Sequence, residues 1–128
     1  VSGEFEKAIV IALRLNERAV ISMVVETVPF SEIGLIVSRI PTVYFVRIVM
    51  LLAWRLDNGR HLAFDMEWAR QLLTVHGSRA HTAAPDPGSV NTALRALHRA
   101  VAAHSVRLAP LATRNSDALN YLLTLANA

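Results

Sequence analysis

Apolar side chains recur along the chain at helical rather than strand spacing. In the first segment they occupy the i, i+3, i+4, i+7 and i+8 positions of one helix face, at Phe5, Ala8, Ile9, Ala12 and Leu13. We expect this helix to end near Asn16, which is also a candidate cap for a second helix from Ala19 to Val28, because Pro29 disfavours helical geometry at the residue before it. The two segments predict a short antiparallel helix pair.

Proline and glycine positions divide the middle of the chain into further helices. Ser31 is placed to begin a short third helix that ends near Arg39, and Pro41 fits the first turn of a fourth. Asn58 and Gly59 supply the left-handed conformation that ends a helix, so we expect the fourth helix to end there. Because this helix is the most apolar, we expect it to lie centrally, with neighbours on several sides.

A fifth helix, from about His61 to His76, carries two apolar stripes. The stripes are Leu62, Met66, Ala69 and Leu73 on one face, and Phe64, Trp68, Leu72 and Val75 on the other. A helix with two such stripes packs on both sides. Gly77 is expected to stop it, and the proline and glycine content of residues 77–89 predicts a flexible internal loop. The part after this loop is too small to fold alone, so we expect residues 1–128 to form a single domain.

The apolar spacing changes after this loop to alternating intervals of four and three, the period of a coiled-coil seam. The residues of this stripe that we expect to contact a partner are Val90, Leu94, Leu97, Val101 and Leu108. Pro110 ends or kinks the helix, and Ser116 is a candidate cap for a last helix. That helix would present Leu119, Leu122, Leu123 and Ala126. The chain as a whole predicts an all-α fold of about six to seven packed helices in a helical-hairpin arrangement.

Arg95, Arg99 and Arg107 lie opposite the apolar stripe and form a basic helix face. Such a face is able to contact the backbone of RNA. The simpler interpretation is a solvated helix surface, because no aromatic side chain lies between these arginines to stack on bases. The net charge of +3 is also too small to argue for nucleic-acid binding by itself. The pattern leaves both interpretations open.

Composition indicates a protein that binds other proteins. Hydrophobic residues make up 53% of the chain and charged residues only 18%, against about 25% charged residues in ordinary soluble domains. We expect part of this apolar excess at an interface. Arg39, Arg47 and Arg55 interrupt the longest apolar stretches, which argues against a membrane span. The chain does not begin with Met, and we expect it to be part of a longer protein.

The residues form no recognisable catalytic or metal-binding pattern. The chain has no cysteine, and His61 and Asp65, one helical turn apart, are two ligands where a metal site needs more. Asp65 and Glu67 point about 160° apart on a helix and cannot act as a carboxylate pair. Neither a nucleophile motif, a phosphate-binding glycine loop nor a dinucleotide fingerprint is present. We therefore expect neither an enzyme nor a bound cofactor.

A series of short motifs goes beyond periodicity. In chain order the motifs are Ala12-Leu13-Arg14-Leu15-Asn16, Val25-Glu26-Thr27-Val28-Pro29, Ile40-Pro41-Thr42-Val43-Tyr44, His61-Leu62-Ala63-Phe64, Trp68 and His76-Gly77. Over residues 8 to 77 their order resembles the A-x-R-L-N, V-x-x-x-P, L-P-x-x-Y, H-L-E-F, W and H-G pattern of the C-terminal helical domains of the periodic tryptophan protein 2 family. Asn120-Tyr121 matches more loosely. Ala63 stands where the family has glutamate, and residues 80–89 have no counterpart in that pattern.

The resemblance implies a non-enzymatic assembly domain. Members of this family are WD-repeat subunits of the UTP-B complex of the nucleolar small-subunit processome, which supports pre-18S ribosomal RNA processing. By resemblance, the domain would join homologous C-terminal domains of other UTP-B subunits, or self-associate in isolation. Contact with pre-ribosomal RNA or a small nucleolar ribonucleoprotein would come through the complex, with neither a membrane nor a small molecule involved. From the residues alone, direct RNA contact through the arginine face and a helical adaptor of an unrelated complex remain alternatives.

Overall fold

Helices make up nearly all of the chain that the computed structural model describes, which is residues 2–59, 61–83 and 87–104. The α-helices are α1 (Ser2–Leu15), α2 (Arg18–Thr27), α3 (Ile33–Arg39), α4 (Phe45–Asn58), α5 (Leu62–His76), α6 (Ala80–Ala83) and α7 (Pro87–Ala103). Single 3-10 turns at Phe30–Glu32 and Thr42–Tyr44 lead into α3 and α4. The all-α prediction is confirmed. The last predicted helix, from Ser116, lies outside the described residues.

The conformation of two turn residues explains where α1 and α4 end. Gly59 has φ 66° and ψ 26°, and its N–H donates to the Arg55 carbonyl at 2.9 Å, so the predicted left-handed end of α4 is confirmed. The predicted end of α1 near Asn16 is confirmed, but Asn16 is not the cap of α2, because it has φ 54° and its N–H donates to the Ala12 carbonyl. It therefore closes α1 in a left-handed conformation, which asparagine tolerates better than most residues, and Glu17 takes the N-cap position of α2.

Three predicted boundaries are corrected. Ser31 lies inside a 3-10 turn, and Glu32 takes the N-cap position of α3. Pro41 precedes the next 3-10 turn in an extended conformation and is not in the first turn of α4. Within residues 77–89, predicted as a loop, Ala80–Ala83 form a short helix, and α7 begins at Pro87 instead of Val90.

α4 lies at the centre of the fold, as predicted. It packs against α2, α5 and most extensively α7. Its buried apolar residues are Phe45, Ile48, Val49, Leu51, Leu52, Ala53 and Leu56. Helix α5 packs against α3 and also against α4. This confirms the prediction that its two apolar stripes pack on both sides. Trp68 and Leu72 of α5 are fully buried.

The apolar stripe of α7 packs into the chain's own core. Val90, Leu94 and Leu97 are at most 3% exposed, and Val101 is partly buried against the same cluster. This corrects the expectation that the stripe faces a partner, because α4 of the same chain already covers it. Leu108 lies outside the described residues.

His76, at the end of α5, connects three parts of the fold. It is 2% exposed, and its Nε2 atom lies 2.7 Å from the Val37 carbonyl oxygen. Its Nδ1 atom lies 2.8 Å from the Thr42 hydroxyl. Because a carbonyl oxygen only accepts hydrogen bonds, Nε2 carries the proton and, in a neutral ring, Nδ1 accepts from Thr42. The side chain thus holds the end of α5 against α3 and the turn before α4.

Arg55 of α4 is buried and ion-paired in the same interior. Its Nε donates to Asp65 Oδ1 of α5 at 2.7 Å. Its NH1 group donates to the hydroxyl of Ser22 at 2.6 Å and to Glu26 at 3.0 Å, both on α2. Burial raises the pKa of the Asp65 carboxyl, while the hydrogen bond and charge of Arg55 act in the opposite direction. The network joins α2, α4 and α5.

None of the described helices is, by itself, both long and apolar enough to cross a membrane. Arg18–Thr27 and Phe30–Arg39 reach the necessary length and apolar composition only as a pair, and the chain bends by 100° between them.

Removing the Asp65 carboxylate is expected to destabilise the fold strongly. Asp65→Ala leaves the Arg55 guanidinium buried, with the half-exposed Glu26 as its remaining charged partner in the network described above. An uncompensated buried charge costs about 3–5 kcal/mol. Glu26→Ala removes only the outer partner and should cost about 1 kcal/mol or less. Urea unfolding followed by circular dichroism measures both losses.

The double variant Arg55→Leu/Asp65→Leu is the matched control, because it removes both charges together. It should recover much of the stability lost in Asp65→Ala. If Asp65→Ala and Glu26→Ala lowered the free energy of unfolding equally, the assignment of Asp65 as the main partner of Arg55 would be contradicted.

Leu97→Asp is expected to prevent folding, because it places an unpaired carboxylate in a fully buried position between α7 and α4, at a cost of several kcal/mol. Arg95→Ala, on the exposed side of the same helix, should change the free energy of unfolding by about 0.5 kcal/mol or less. Thermal unfolding by circular dichroism compares the two. A cooperative transition for Leu97→Asp at the unaltered midpoint would show that the stripe is not core.

Candidate protein-interaction surface

An open groove of about 600 Å³ lies between α2, α4 and α7. Its apolar lining from α2 and α4 consists of Ile21, Val46, Met50, Leu51, Ala53 and Trp54. Met50 is 42% exposed and Trp54 is 37% exposed, although both belong to the central helix. We call this feature the α4–α7 groove.

The spacing of residues on two helices produces the groove. Val46, Met50 and Trp54 follow one another at intervals of four on α4, so they form a continuous ridge of large side chains. The facing residues of α7 are Ala96, Ala100 and Ala103, which are also one turn apart. Because alanine side chains are short, α7 packs on α4 along its buried stripe and leaves space beside it.

Three arginines from different helices meet at the groove: Arg18 of α2, Arg47 of α4 and Arg99 of α7. The Arg18 guanidinium lies 4.6 Å from the centroid of the Trp54 ring, and that of Arg47 lies 5.6 Å from the Tyr44 ring. Arg47 also donates to the Leu13 carbonyl at 2.6 Å. Cation–π contacts of this kind hold the guanidinium groups beside the apolar lining. Asp57 is the acidic residue among the described lining residues, and its Oδ1 atom lies 3.7 Å from His104 Nε2.

The predicted RNA-contacting arginines are only partly brought together. Arg95 and Arg99 are exposed on α7, and Arg99 lines the groove. Arg107 lies outside the described residues. Sequence reasoning missed Arg18 and Arg47, because they come from distant parts of the chain and no local spacing relates them to α7. RNA contact stays a prediction for these residues.

Three large apolar side chains of α1 and α2 are also exposed to solvent. Ile11, Leu15 and Met23 are 58%, 61% and 61% exposed. Ile11 and Leu15 are neighbours one turn apart on α1, while Ile9, Ala12 and Leu13 of the same helix are buried. We call these three exposed residues the outer hairpin surface. Single exposed apolar residues are ordinary, but an adjacent pair of large ones on a single helix is more typical of a contact surface.

A smaller, polar cleft of about 360 Å³ lies next to the Arg55 network and is lined in part by His61 and Asp65. These are the two residues that the sequence placed one turn apart as a conceivable metal pair. In the structure the Asp65 carboxylate is hydrogen-bonded to Arg55. Within residues 2–59, 61–83 and 87–104, no three histidine, aspartate or glutamate side chains are grouped so as to hold a metal ion.

Comparison with known proteins gives a consistent result over nearly the whole chain. The periodic tryptophan protein 2 homolog of Neurospora crassa is 32% identical over 125 residues, which is 98% of this chain and 14% of that protein. The mouse homolog is 30% identical over 123 residues, covering 96% of this chain and 13% of its own length. Periodic tryptophan protein 2 of Saccharomyces cerevisiae is 28% identical over 121 residues, with 94% and 13% covered. The chain thus spans only a small part of each relative.

A family model described as "Dip2/Utp12 Family" matches residues 16–124. That range contains α2 to α7, including every described residue that lines the α4–α7 groove. The match extends beyond α7 and so also takes in most of the residues after His104. With the greater part of its length matched in this way, the chain belongs to the Dip2/Utp12 family.

Proposed function

We propose that this chain is the non-enzymatic assembly domain of a WD-repeat ribosome-biogenesis factor. It joins homologous C-terminal domains of other UTP-B subunits in the small-subunit processome, where pre-18S ribosomal RNA is processed, and it works in the nucleolus. Membership of the Dip2/Utp12 family and the likeness to periodic tryptophan protein 2 support the ribosome-biogenesis role. The observation that carries the assembly role is the outer hairpin surface.

Exposure of the outer hairpin surface to water is unfavourable, so covering it with a partner would stabilise the complex. Burying apolar area contributes about 25 cal/mol per Å², and Ile11, Leu15 and Met23 are each more than half exposed. A second copy of this chain would present the same three residues, and two such surfaces placed face to face bury each other. The stripe on α7 cannot serve in this way without unfolding, since it is part of the core.

The interactions of the titratable residues support a function without catalysis. The Asp65 carboxylate is paired with Arg55, and both ring nitrogens of His76 are hydrogen-bonded within the fold. Glu67 pairs with Arg70 at 2.6 Å. A general acid or base needs a proton-transfer atom that is able to reach a substrate. Asp65 and His76 instead hold different helices together, and Glu67 is paired with Arg70 within α5.

A second candidate function is direct contact with pre-ribosomal RNA. The observation that favours it is the meeting of Arg18, Arg47 and Arg99 at one groove, with Arg95 exposed one turn before Arg99. Arginine binds phosphate through two hydrogen bonds. The apolar lining of the groove argues for a protein ligand, because RNA would bring its charged backbone against it.

Ile11→Glu/Leu15→Glu is expected to abolish assembly and keep the fold. Both side chains are exposed, so the substitutions should leave the helical circular dichroism spectrum unchanged. Two carboxylates at the centre of an apolar contact should prevent it, because they would be desolvated without partners. Sedimentation velocity at micromolar concentration measures self-association, and mixing with homologous C-terminal domains measures joining.

Ala102→Glu, at an exposed position of α7, is the matched control and should assemble normally. The proposal fails if the unaltered domain is a monomer that does not bind homologous domains. It also fails if the α1 variant assembles as the control does.

Arg95→Ala/Arg99→Ala is expected to leave assembly unchanged, because both exposed side chains belong to α7, whereas the outer hairpin surface belongs to α1 and α2. Arg14→Ala/Arg79→Ala, also at exposed positions, removes the same charge elsewhere and is the control. RNA binding by the isolated domain is measured at several salt concentrations. Loss of binding in the α7 variant alone, with a lower salt dependence, would favour the RNA function over the assembly function.

A further inference from the structure

We propose that the α4–α7 groove binds a short acidic amphipathic helix of another protein. In this arrangement the apolar side chains of the partner cover Met50 and Trp54, and its aspartate or glutamate side chains pair with the arginines that line the groove. The inference is independent of the proposed assembly function, because the groove is formed by α2, α4 and α7, whereas the outer hairpin surface belongs to α1 and α2.

The positive charge of the groove indicates an acidic partner. The described lining contains Arg18, Arg47 and Arg99, against a single carboxylate, that of Asp57. Within the part of the chain that the structure describes, carboxylates form ion pairs with other groups, and none lies within ion-pairing distance of these three arginines. A carboxylate that enters the groove is therefore attracted, whereas a partner rich in lysine or arginine is repelled.

Two of the arginines are already held in place for such a contact. The Arg18 guanidinium lies over the Trp54 ring, and that of Arg47 lies over the Tyr44 ring while it donates to the Leu13 carbonyl. A guanidinium has five N–H donors at its edge, so contact through its face leaves donors for a carboxylate. Because these side chains are restrained before binding, they lose less conformational freedom when the partner arrives.

The apolar ridge of the groove indicates that the partner also carries large apolar side chains. Val46, Met50 and Trp54 lie along the lining, and Met50 and Trp54 are 42% and 37% exposed. From Val46 to Trp54 the ridge is about 12 Å long, at 1.5 Å per helical residue. That length matches about two turns of a partner helix, which presents apolar side chains at i, i+3 or i+4, and i+7. Covering the ridge removes apolar area from water, which favours binding.

The backbone of the groove walls favours a helical partner over an extended one. Apart from Asn16, the described lining residues belong to α2, α4 or α7, whose backbone groups are largely bonded within those helices. An extended segment would give up the water bonded to its own N–H and C=O groups without finding replacements. A helix satisfies these groups internally and contributes only side chains to the contact.

The probe is a synthetic peptide of about 14 residues, or about four helical turns, with leucine along one face, glutamate elsewhere and no tryptophan. One control peptide has lysine in place of glutamate, and a second has serine in place of leucine. Each is added to the whole 128-residue chain. The acidic peptide should shift the emission of Trp54 to shorter wavelength and reduce its quenching by acrylamide. Trp54→Phe identifies the Trp54 signal, because Trp68 is fully buried.

The lysine peptide and the serine peptide should each bind at least about tenfold more weakly than the acidic peptide. The reason differs between them, because the lysine peptide is repelled by the arginines and the serine peptide leaves the apolar ridge uncovered.

Two pairs of variants locate the binding site, and the anisotropy of a fluorescein-labelled acidic peptide measures their affinity. Met50→Glu is compared with Leu35→Glu, because both original side chains are 42% exposed and Leu35 lies on α3, outside the described lining. Arg99→Glu is compared with Arg79→Glu, an equal change of charge at an exposed position away from the groove lining. The groove variant of each pair should bind at least about tenfold more weakly than its control. Circular dichroism checks that all four remain helical.

The proposal is overturned if the acidic and lysine peptides bind equally, or if Arg99→Glu binds the acidic peptide as well as Arg79→Glu does. Binding of the acidic peptide without a change at Trp54 also overturns it. If single-stranded oligouridine RNA protects Trp54 at physiological salt and the acidic peptide does not, the groove is an RNA site instead. A dimer in sedimentation velocity that Met50→Glu dissociates, with no peptide binding, assigns the groove to a second copy.

The peptide measurement is separate from the test of assembly. Ile11→Glu/Leu15→Glu should bind the acidic peptide as the unaltered chain does, because neither residue is among the described lining of the groove. Loss of assembly in that variant, with peptide binding kept, would support both proposals as properties of different surfaces.

Discussion

The Arg55 guanidinium has to be neutralised inside the protein, because α4, the helix that carries it, packs against α2, α5 and α7. A charge in that position is tolerated only when partners surround it with good geometry. Asp65 supplies a short hydrogen bond from α5, and Ser22 and Glu26 supply two more from α2. Apolar packing alone allows helices to slide by small amounts, whereas these directed contacts fix the positions of three helices relative to one another. The groove and the outer hairpin surface depend on that arrangement.

The two apolar surfaces differ in what surrounds them. The outer hairpin surface consists of large apolar side chains on α1 and α2 that are more than half exposed. The α4–α7 groove is concave, and two of its arginines, Arg18 and Arg47, lie over the rings of Trp54 and Tyr44.

Local features of the structure were predictable from sequence, and relations between distant segments were not. Gly59 ends α4 because glycine alone adopts its conformation without cost, and the two stripes of α5 require neighbours on both sides. The α7 stripe shows the limit of such reasoning. A period of four and three is the same whether the stripe faces a partner or the chain's own core, and only the position of α4 decides between them. In the same way, no spacing along the sequence predicts that Arg18, Arg47 and Arg99 line one groove.

The packing of α7 on α4 also affects the order in which helix contacts can form during synthesis. The helix pairs α1–α2 and α4–α5 join segments that are close in the chain, so they are able to form as soon as they are made. The helix that packs most extensively against α4 is α7, which follows α5 and α6 in the chain. Until α7 leaves the ribosome, the face of α4 against which α7 packs has no complete cover, and an emerging chain with an exposed apolar face is prone to aggregate. The nascent domain therefore depends on α7, made late in the chain, to cover its central helix.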